Sequence, residues 1–401
     1  MRRRSAILLG LAALLMVAVA AFLSFAPGIA ERSMNKVVAT QLPTISPRAR
    51  ALHDRLEIAD MHADTLLWSR DRLARSDRGQ VDLPRLQAGN VALQIFSSVT
   101  KTPKGQNYDA NDAHSDNITL LAVAQLQPPR TWRSLLQRSL WHAEKLKRAA
   151  AASDDQLRVV ASAADLDAVL EARRLSGFCF HNCRRGPLVG ALLSVEGLQD
   201  IEGDLAKLDR LYDAGFRMAG FAHFFDNEVA GSMHGQAKGG LTPLGRAVLR
   251  RMEARGMIVD IAHASHAAVA EILRLASRPV VSSHGGVQAT CKVNRNLTDH
   301  EIRGVARTGG VVGIGYWEGA VCSTEPKAVA AAIAHVRDLV GIDHVGLGSD
   351  FDGAVTTGFD TGQLAVVTQA LIDRGFTDAD IAKVMGGNVL RVLRAGLVPR
   401  G

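Results

Sequence analysis

The sequence predicts an α/β protein: a (β/α)8 TIM barrel with a helical insertion, preceded by an N-terminal signal or anchor segment. Three observations carry that expectation. Short apolar or β-branched runs alternate with helix-length segments from about residue 50 onward, which calls for parallel strands joined by crossover helices. Eight such runs are present, the number that closes a parallel barrel. Imidazoles and carboxylates fall at the ends of these runs, on the rim where such barrels carry their chemistry. An open doubly wound sheet is the alternative, but no Gly-x-Gly-x-x-Gly follows an early strand.

At the N-terminus, Arg2-Arg3-Arg4 precedes an apolar run over residues 6–23. A positive segment followed by an apolar one directs export, and about 18 residues lies between a long signal peptide and a spanning helix. No cysteine is there for lipid attachment, and Ala18-Val19-Ala20 lies inside the run. Residues 1–26 are therefore expected to be a signal peptide or signal-anchor helix, with the uncleaved anchor favoured. Residues 27–47 follow as a polar connector, and 48–401 as the barrel. The bulk of the chain is expected to be periplasmic or extracytoplasmic, anchored to the inner membrane by residues 6–23 where the segment is kept.

The runs that read as strands are 56–61, 91–99, 188–195, 216–221, 257–262, 279–283, 310–316 and 344–349. Residues 101–186 are largely an insertion, mostly helical and polar, with a helix over 130–152. A helix over 242–255 has Pro243 near its start and Gly256 past its end, and another over 326–340 is stopped by Gly341. With 47% hydrophobic residues the 401-residue chain can bury a large core. Its net charge of +7 comes from scattered arginines without interleaved aromatics, so no nucleic-acid partner is expected. Four cysteines in an exported chain, Cys179, Cys183, Cys291 and Cys322, favour two disulfides; a small metal site at Cys179-Phe180-His181-Asn182-Cys183 is the alternative.

His62 and Asp64 end the first run, two positions apart and so on one face of a strand. Glu196 ends the third run, His223 follows the fourth, His263 ends the fifth, His284 the sixth and Asp350 the eighth. Each alone reads as a capping residue. Together on one rim, His62, Asp64, Glu196, His263, His284 and Asp350 form the mixed imidazole and carboxylate set of a two-zinc hydrolytic centre. Glu196 lies between the two pairs in strand order and is the natural bridge.

These residues also carry a resemblance to the membrane (renal) dipeptidases, a branch of the amidohydrolase-like metal-dependent barrels. The matching segments include Asp60-Met61-His62-Ala63-Asp64, Val195-Glu196-Gly197, Leu241-Thr242-Pro243-Leu244-Gly245, Val259-Asp260-Ile261-Ala262-His263, Ser283-His284, Arg295-Asn296-Leu297-Thr298-Asp299 and Gly348-Ser349-Asp350-Phe351-Asp352-Gly353. The likeness runs from about residue 50 to the end. It implies a binuclear zinc dipeptidase that hydrolyses dipeptides, L-Xaa-D-Xaa among them, by a metal-bridging hydroxide. His62 and Asp64 would bind one zinc, His263 and His284 the other, and Glu196 would bridge. His223 would contact the substrate and polarise the scissile carbonyl. Arg295 would hold the dipeptide's free carboxylate, and Asp350 would take the proton and pass it to the leaving amine. The resemblance further implies a Cys291–Cys322 disulfide, leaving Cys179 to pair with Cys183, and a homodimer.

The chain also departs from the family pattern. Tyr316-Trp317-Glu318-Gly319 does not match the family's second carboxylate-binding aromatic, which leaves that group open. Phe224-Phe225-Asp226-Asn227 after His223 differs from the animal enzymes and is similar to bacterial relatives. Animal members carry a C-terminal lipid anchor, whereas this sequence ends at Gly401 without an apolar tail. Two other functions compete: a barrel metallohydrolase acting on another amide or a lactone, and a non-catalytic membrane-tethered binding protein.

Overall fold

The computed structural model describes residues 2–176 and 186–398. Eight parallel strands form the barrel: β1 (Ile58–Ala63), β2 (Val91–Val99), β3 (Val189–Glu196), β4 (Phe216–Gly220), β5 (Ile258–Asp260), β6 (Val280–Ser282), β7 (Val311–Ile314) and β8 (Val345–Leu347). Each pairs with the next, and β8 returns to β1 through Leu347 opposite Asp60, which closes the ring. The β2–β3 pairing is the longest, running in register from Leu93 opposite Gly190 to Val99 opposite Glu196. A short strand, Leu157–Val159, adds to the first residues of β3 on the edge that β4 takes over from Leu193.

All eight expected strands are present. The first lies two residues later than the apolar run suggested, so His62 is a strand residue and Asp64 stands just before the 3-10 turn Thr65–Leu67 without a side-chain capping bond to it. Strand residues are buried on both faces, because side chains fill the barrel on one side and helices cover the other. The helix Pro243–Arg255 starts on Thr242, whose hydroxyl accepts the Gly245 N–H at 3.0 Å, and ends at Gly256 in a left-handed conformation. The helix Pro326–Val340 stops at Gly341 as expected. The long helix of the insertion begins later than expected. Ser134 caps Leu135–Ala152, and a separate 3-10 turn, Pro129–Trp132, precedes it.

Cys291 is bonded to Cys322, the pairing implied by the resemblance. Cys179 and Cys183 lie outside the described residues.

The N-terminal helix α1 (Arg2–Met34) continues through Pro27, so the first part of the segment expected as connector is helical. Among the described residues it is the one helix long and apolar enough to cross a membrane, a property that a signal sequence shares. Docking explains its extension past the proline. Glu31 is buried and paired with Arg70 and with Arg78, the latter at 2.9 Å. Arg70 also pairs with Asp352 on the loop after β8. Beyond the helix, Asn35 accepts the Ala354 N–H at 2.8 Å, and Lys36–Val37 pairs in parallel with Thr356–Thr357. The chain entering the barrel is therefore fastened to the loop that carries Asp350.

Removing Glu31 takes a carboxylate from the buried Arg70 and from the half-buried Arg78. Breaking a buried pair costs about 3–5 kcal/mol, and Asp352 still serves Arg70, so Glu31→Ala is expected to destabilise the full chain by about 2–3 kcal/mol in thermal or denaturant unfolding. An unchanged midpoint would refute this docking.

Candidate metal centre

The C-terminal ends of six strands converge on Glu196, the last residue of β3. His62 Nε2 lies 3.5 Å from Glu196 Oε2, 3.4 Å from Asp64 Oδ1 and 3.9 Å from Asp350 Oδ1. The other oxygen, Oε1, faces His263 Nε2 at 2.9 Å, His284 Nε2 at 3.2 Å and His223 Nε2 at 3.4 Å. The seven rim residues expected from the sequence are thus one cluster, none more than 8% exposed. Glu196 turns one oxygen to the His62 and Asp64 side and the other to His263 and His284.

Two strand-borne carboxylates position the ligands. Asp60 shares the inward face of β1 with His62 and accepts from the His62 N–H at 3.0 Å, the Ser349 hydroxyl at 3.0 Å and Gln94 Nε2 at 3.3 Å. The Ser349 hydroxyl lies 2.9 Å from the His62 carbonyl, which joins β1 to the residue before Asp350. Asp260, at the end of β5, accepts the Ser283 N–H at 2.9 Å and its hydroxyl at 2.5 Å. That hydroxyl spends its only proton on Asp260, so its 2.9 Å contact with His284 Nδ1 requires the imidazole to donate. His284 Nε2 then carries a lone pair aimed at Glu196.

The backbone is strained at two of the rim residues. His263 and Asp350 have φ of 64° and 58°, left-handed values unfavourable without glycine. For Asp350 the loop is held by its neighbour Asp352. Asp352 accepts from the Thr65 hydroxyl at 2.7 Å and the Gln80 N–H at 2.7 Å, pairs with Arg70, and gives its carbonyl to Trp68 Nε1 at 2.8 Å.

Electrostatics favour added positive charge here. Burial alone would raise the Glu196 carboxyl, but the surrounding imidazoles, His223 and His62 foremost, hold it well below the usual range. Burial opposes a charge on His62 also, yet Glu196 and Asp64 raise it well above an ordinary imidazole. Burial, reinforced by Arg295, drives His263 well below its usual value, and burial with His62 does the same for His284. Both remain neutral with lone pairs to offer. Asp350 is raised well above the carboxylate range, chiefly by burial, with Asp64 and Glu196 adding to this against His62 and Arg295.

The donor set fits divalent cations. His62 Nδ1 and Nε2, Asp64 Oδ1 and Glu196 Oε2 are buried without a hydrogen-bond partner, an unusual concentration of costly unmet polarity. Three overlapping triplets have ligand atoms close enough to share an ion: His62, Asp64 and Asp350; His62, Glu196 and His284; and Glu196, His223 and His263. The cluster opens on a cavity of about 790 Å³ that is also lined by Arg295, Trp317 and Tyr108 and by Phe22 and Met34 of α1.

Arg295 is buried beside this cavity, with its Nη2 donating to the His284 carbonyl at 2.7 Å. Among the described residues it has no ion pair. Residue patterns singled out Arg295 and all seven rim residues, and missed Asp60, Asp260 and Asp352 as organisers. The spacing Asp60-x-His62 held a usable signal, since a carboxylate two positions before a strand histidine shares its face.

Comparison with known proteins gives a consistent picture. The family model for membrane dipeptidase (peptidase family M19) matches residues 46–397. Dipeptidase aclJ of Aspergillus oryzae is 30% identical over 361 residues, covering 84% of this chain and 78% of its own length. Dipeptidase tcpJ of Claviceps purpurea is 29% identical over 325 residues, 79% of this chain and 69% of its own. Among solved structures the fold is shared with the probable dipeptidase PvdM from Pseudomonas aeruginosa, at TM-score 0.71 and 22% identity, covering 88% of this chain and 99% of that one. It is also shared with a metallopeptidase from Rhodobacter sphaeroides liganded with a phosphinate mimic of the dipeptide L-Ala-D-Ala, at TM-score 0.65 and 22% identity, covering 85% and 99%.

The Asp60 carboxylate accepts several donors at once, and an amide in its place would turn an N–H2 toward some of them. Asp60→Asn is therefore expected to weaken metal binding by about 10–100-fold, the usual cost of losing a partner behind the ligands, while circular dichroism stays that of a folded barrel. Unaltered metal affinity would remove Asp60 from this supporting role.

Proposed function

The chain belongs to the membrane dipeptidase family, peptidase family M19, and we propose that its rim holds two zinc ions and hydrolyses dipeptides, L-Xaa-D-Xaa among them, outside the cytoplasm. One observation carries the choice of substrate. Arg295 is a buried guanidinium without a carboxylate partner among the described residues, and it lines the same cavity as Glu196, His223 and Asp350. A buried cation short of a counter-ion beside a hydrolytic centre suits a substrate with its own anion, and a dipeptide's free carboxylate supplies it.

His62 and Asp64 would hold one cation and His263 and His284 the other, with Glu196 between them. Bound there, the two ions would supply Lewis acidity for the scissile carbonyl and acidify a water. Arg295 grips the terminal carboxylate and so fixes where the peptide bond lies. His223, across from Glu196 Oε1, faces the carbonyl oxygen as negative charge develops on it. Asp350 accepts the proton of the attacking water and delivers it to the leaving amine as the C–N bond breaks, giving two free amino acids. Its raised carboxyl suits a group that must both take and return a proton. Tolerance for a D-residue is supported by the L-Ala-D-Ala mimic bound to the Rhodobacter sphaeroides metallopeptidase. Helix α1 serves as export signal and tether, presenting the barrel on the far side of the membrane.

The test couples metal analysis to an L,L- and L,D-dipeptide panel. About two zinc ions per chain and hydrolysis of free-carboxylate dipeptides are expected, with Arg295→Met raising KM for these far more than for C-terminally blocked amides. Metal loading without hydrolysis of any dipeptide would sink the reading, and an Arg295→Met effect shared equally by blocked substrates would favour a hydrolase of another amide or a lactone. Asp350→Asn is expected to keep its metals and lose about 100- to 10,000-fold in kcat, the range for removing a general acid–base. Near-normal turnover would take the proton transfer away from Asp350.

A further inference from the structure

We infer that one face of helix α1 forms the wall of an apolar subsite beside the metal centre, and that this subsite takes a long aliphatic chain carried by the dipeptide. This rests on the dipeptidase reading above and adds a substrate class to it. The family model matches residues 46–397, so α1 lies outside the stretch that the family likeness covers.

Spacing along α1 makes the wall. Phe22, Ala26, Ala30 and Met34 recur at every fourth position, which sets them in one stripe on the helix surface. All four line the cavity that holds Asp64, Glu196, His223 and Asp350. The ion pairs of Glu31 with Arg70 and Arg78 fix the rotation that turns this stripe inward. Alanines in the two middle turns, between Phe22 and Met34, leave a trough. At about 1.5 Å of rise per residue the stripe runs for about 18 Å, a length that suits a chain rather than a compact side chain.

A second apolar wall lines the same cavity. Leu67, Trp68, Val99 and Ile118 form a hydrophobic cluster of their own, apart from the barrel core, with Leu121 packed against it. Each of these side chains is part of the cavity lining. Ile118 and Leu121 come from the helix Asn117–Ala124 of the insertion, which packs against α1. The insertion and the N-terminal helix thus build the apolar part of the site together, while the barrel supplies the polar part.

Peptide-bond hydrolysis itself has no use for this surface. Arg295 and the rim residues are buried and polar, whereas Phe22, Met34 and Leu120 of the cavity lining are 49%, 48% and 65% exposed. Apolar side chains left in water on a concave surface are stabilised when an apolar group covers them. The cavity, about 790 Å³, has room for such a group beside the reacting atoms. Continuity with the metal centre makes the substrate the occupant, because a chain lying along the trough can be attached to the peptide bond that reaches Glu196 and Asp350.

The experiment assays the full chain in lipid nanodiscs on two series of dipeptides, with a linear side chain of increasing length on the amino-terminal or on the carboxyl-terminal residue. In one series kcat/KM is expected to rise about fourfold for each added methylene, the worth of burying one, and to do so through KM. The series that responds assigns the residue carrying the chain. Ala26→Trp fills the trough, and the double variant Phe22→Ser with Met34→Ser makes its ends polar at half-exposed positions that the fold does not depend on. Each is expected to lower the kcat/KM ratio of the longest to the shortest substrate by about tenfold, with metal content unchanged. A flat dependence on chain length in both series, or a ratio that neither variant changes, would overturn the proposal. Weaker vesicle binding by the double variant with an unchanged ratio would overturn it too, and give this face to the bilayer. Wild type hydrolysing not even the shortest dipeptide would instead overturn the reading on which it rests.

Discussion

Glu196 sits buried among four imidazoles, and its negative charge is the constraint from which the rest of the site follows. Each of its oxygens faces a different set of nitrogen ligands, so the two halves of the rim are related through one carboxylate. Burying such a group without compensation costs several kcal/mol. The compensation here is crowded imidazole, and the neighbouring carboxylates raise His62 toward carrying a proton. That proton stands where a cation would do the same electrostatic work better. The unpartnered nitrogen and oxygen atoms around His62 fit the same account, since they have no hydrogen-bond solution within the protein and lie in groups close enough to share an ion.

Such a shell holds its shape only if its members cannot turn away. Asp60 and Asp260 perform that task from opposite sides of the barrel, on β1 and β5, each accepting backbone and hydroxyl donors from a neighbouring strand end. Asp352 does it for the loop after β8, where Asp350 occupies a left-handed backbone conformation. Strain of this kind persists because its surroundings over-determine it. Arg70 extends the support outward, joining Asp352 to Glu31 of α1. Helix α1, long and apolar enough to cross a membrane, is in this way also part of what holds Asp350.

The strands and rim residues were legible in the sequence because they obey local rules. Apolar runs of strand length mark the barrel, and a parallel barrel places its polar residues at run ends. What was not legible depends on partners remote in the chain. Asp60 and Ser349 are 289 positions apart, and nothing near either one announces their contact. The continuation of α1 past Pro27 depends on Glu31 finding Arg70 and Arg78, which local propensity cannot foresee. The break before Leu135 was readable in principle, since Ser134 is a good N-cap, but the apolar spacing on either side concealed it. Tyr108 is the clearest case. It stands in a polar loop without periodicity, and only the folded chain sets it beside Trp317.

The division between local and remote signals coincides with a division of labour. In the proposed dipeptidase, metal chemistry would reside on strand ends, whose geometry the barrel dictates, and substrate recognition on loops that must be fastened to each other. The Cys291–Cys322 disulfide makes the main fastening, between the loop that leads to Arg295 and the short helix that follows Trp317. Asn296 repeats it without covalent bonds, donating from one amide nitrogen to the carbonyls of Cys291 at 2.8 Å and Ala320 at 3.0 Å. Arg295 lies between these two anchors in sequence and faces Trp317 in space. A guanidinium recognises a carboxylate well only if its fork is held still, and a flexible loop would lose in entropy what the ion pair contributes. In the proposed dipeptidase, the disulfide therefore acts on substrate selection through the rigidity of the Arg295 and Trp317 loops, and leaves the metal ligands to the barrel.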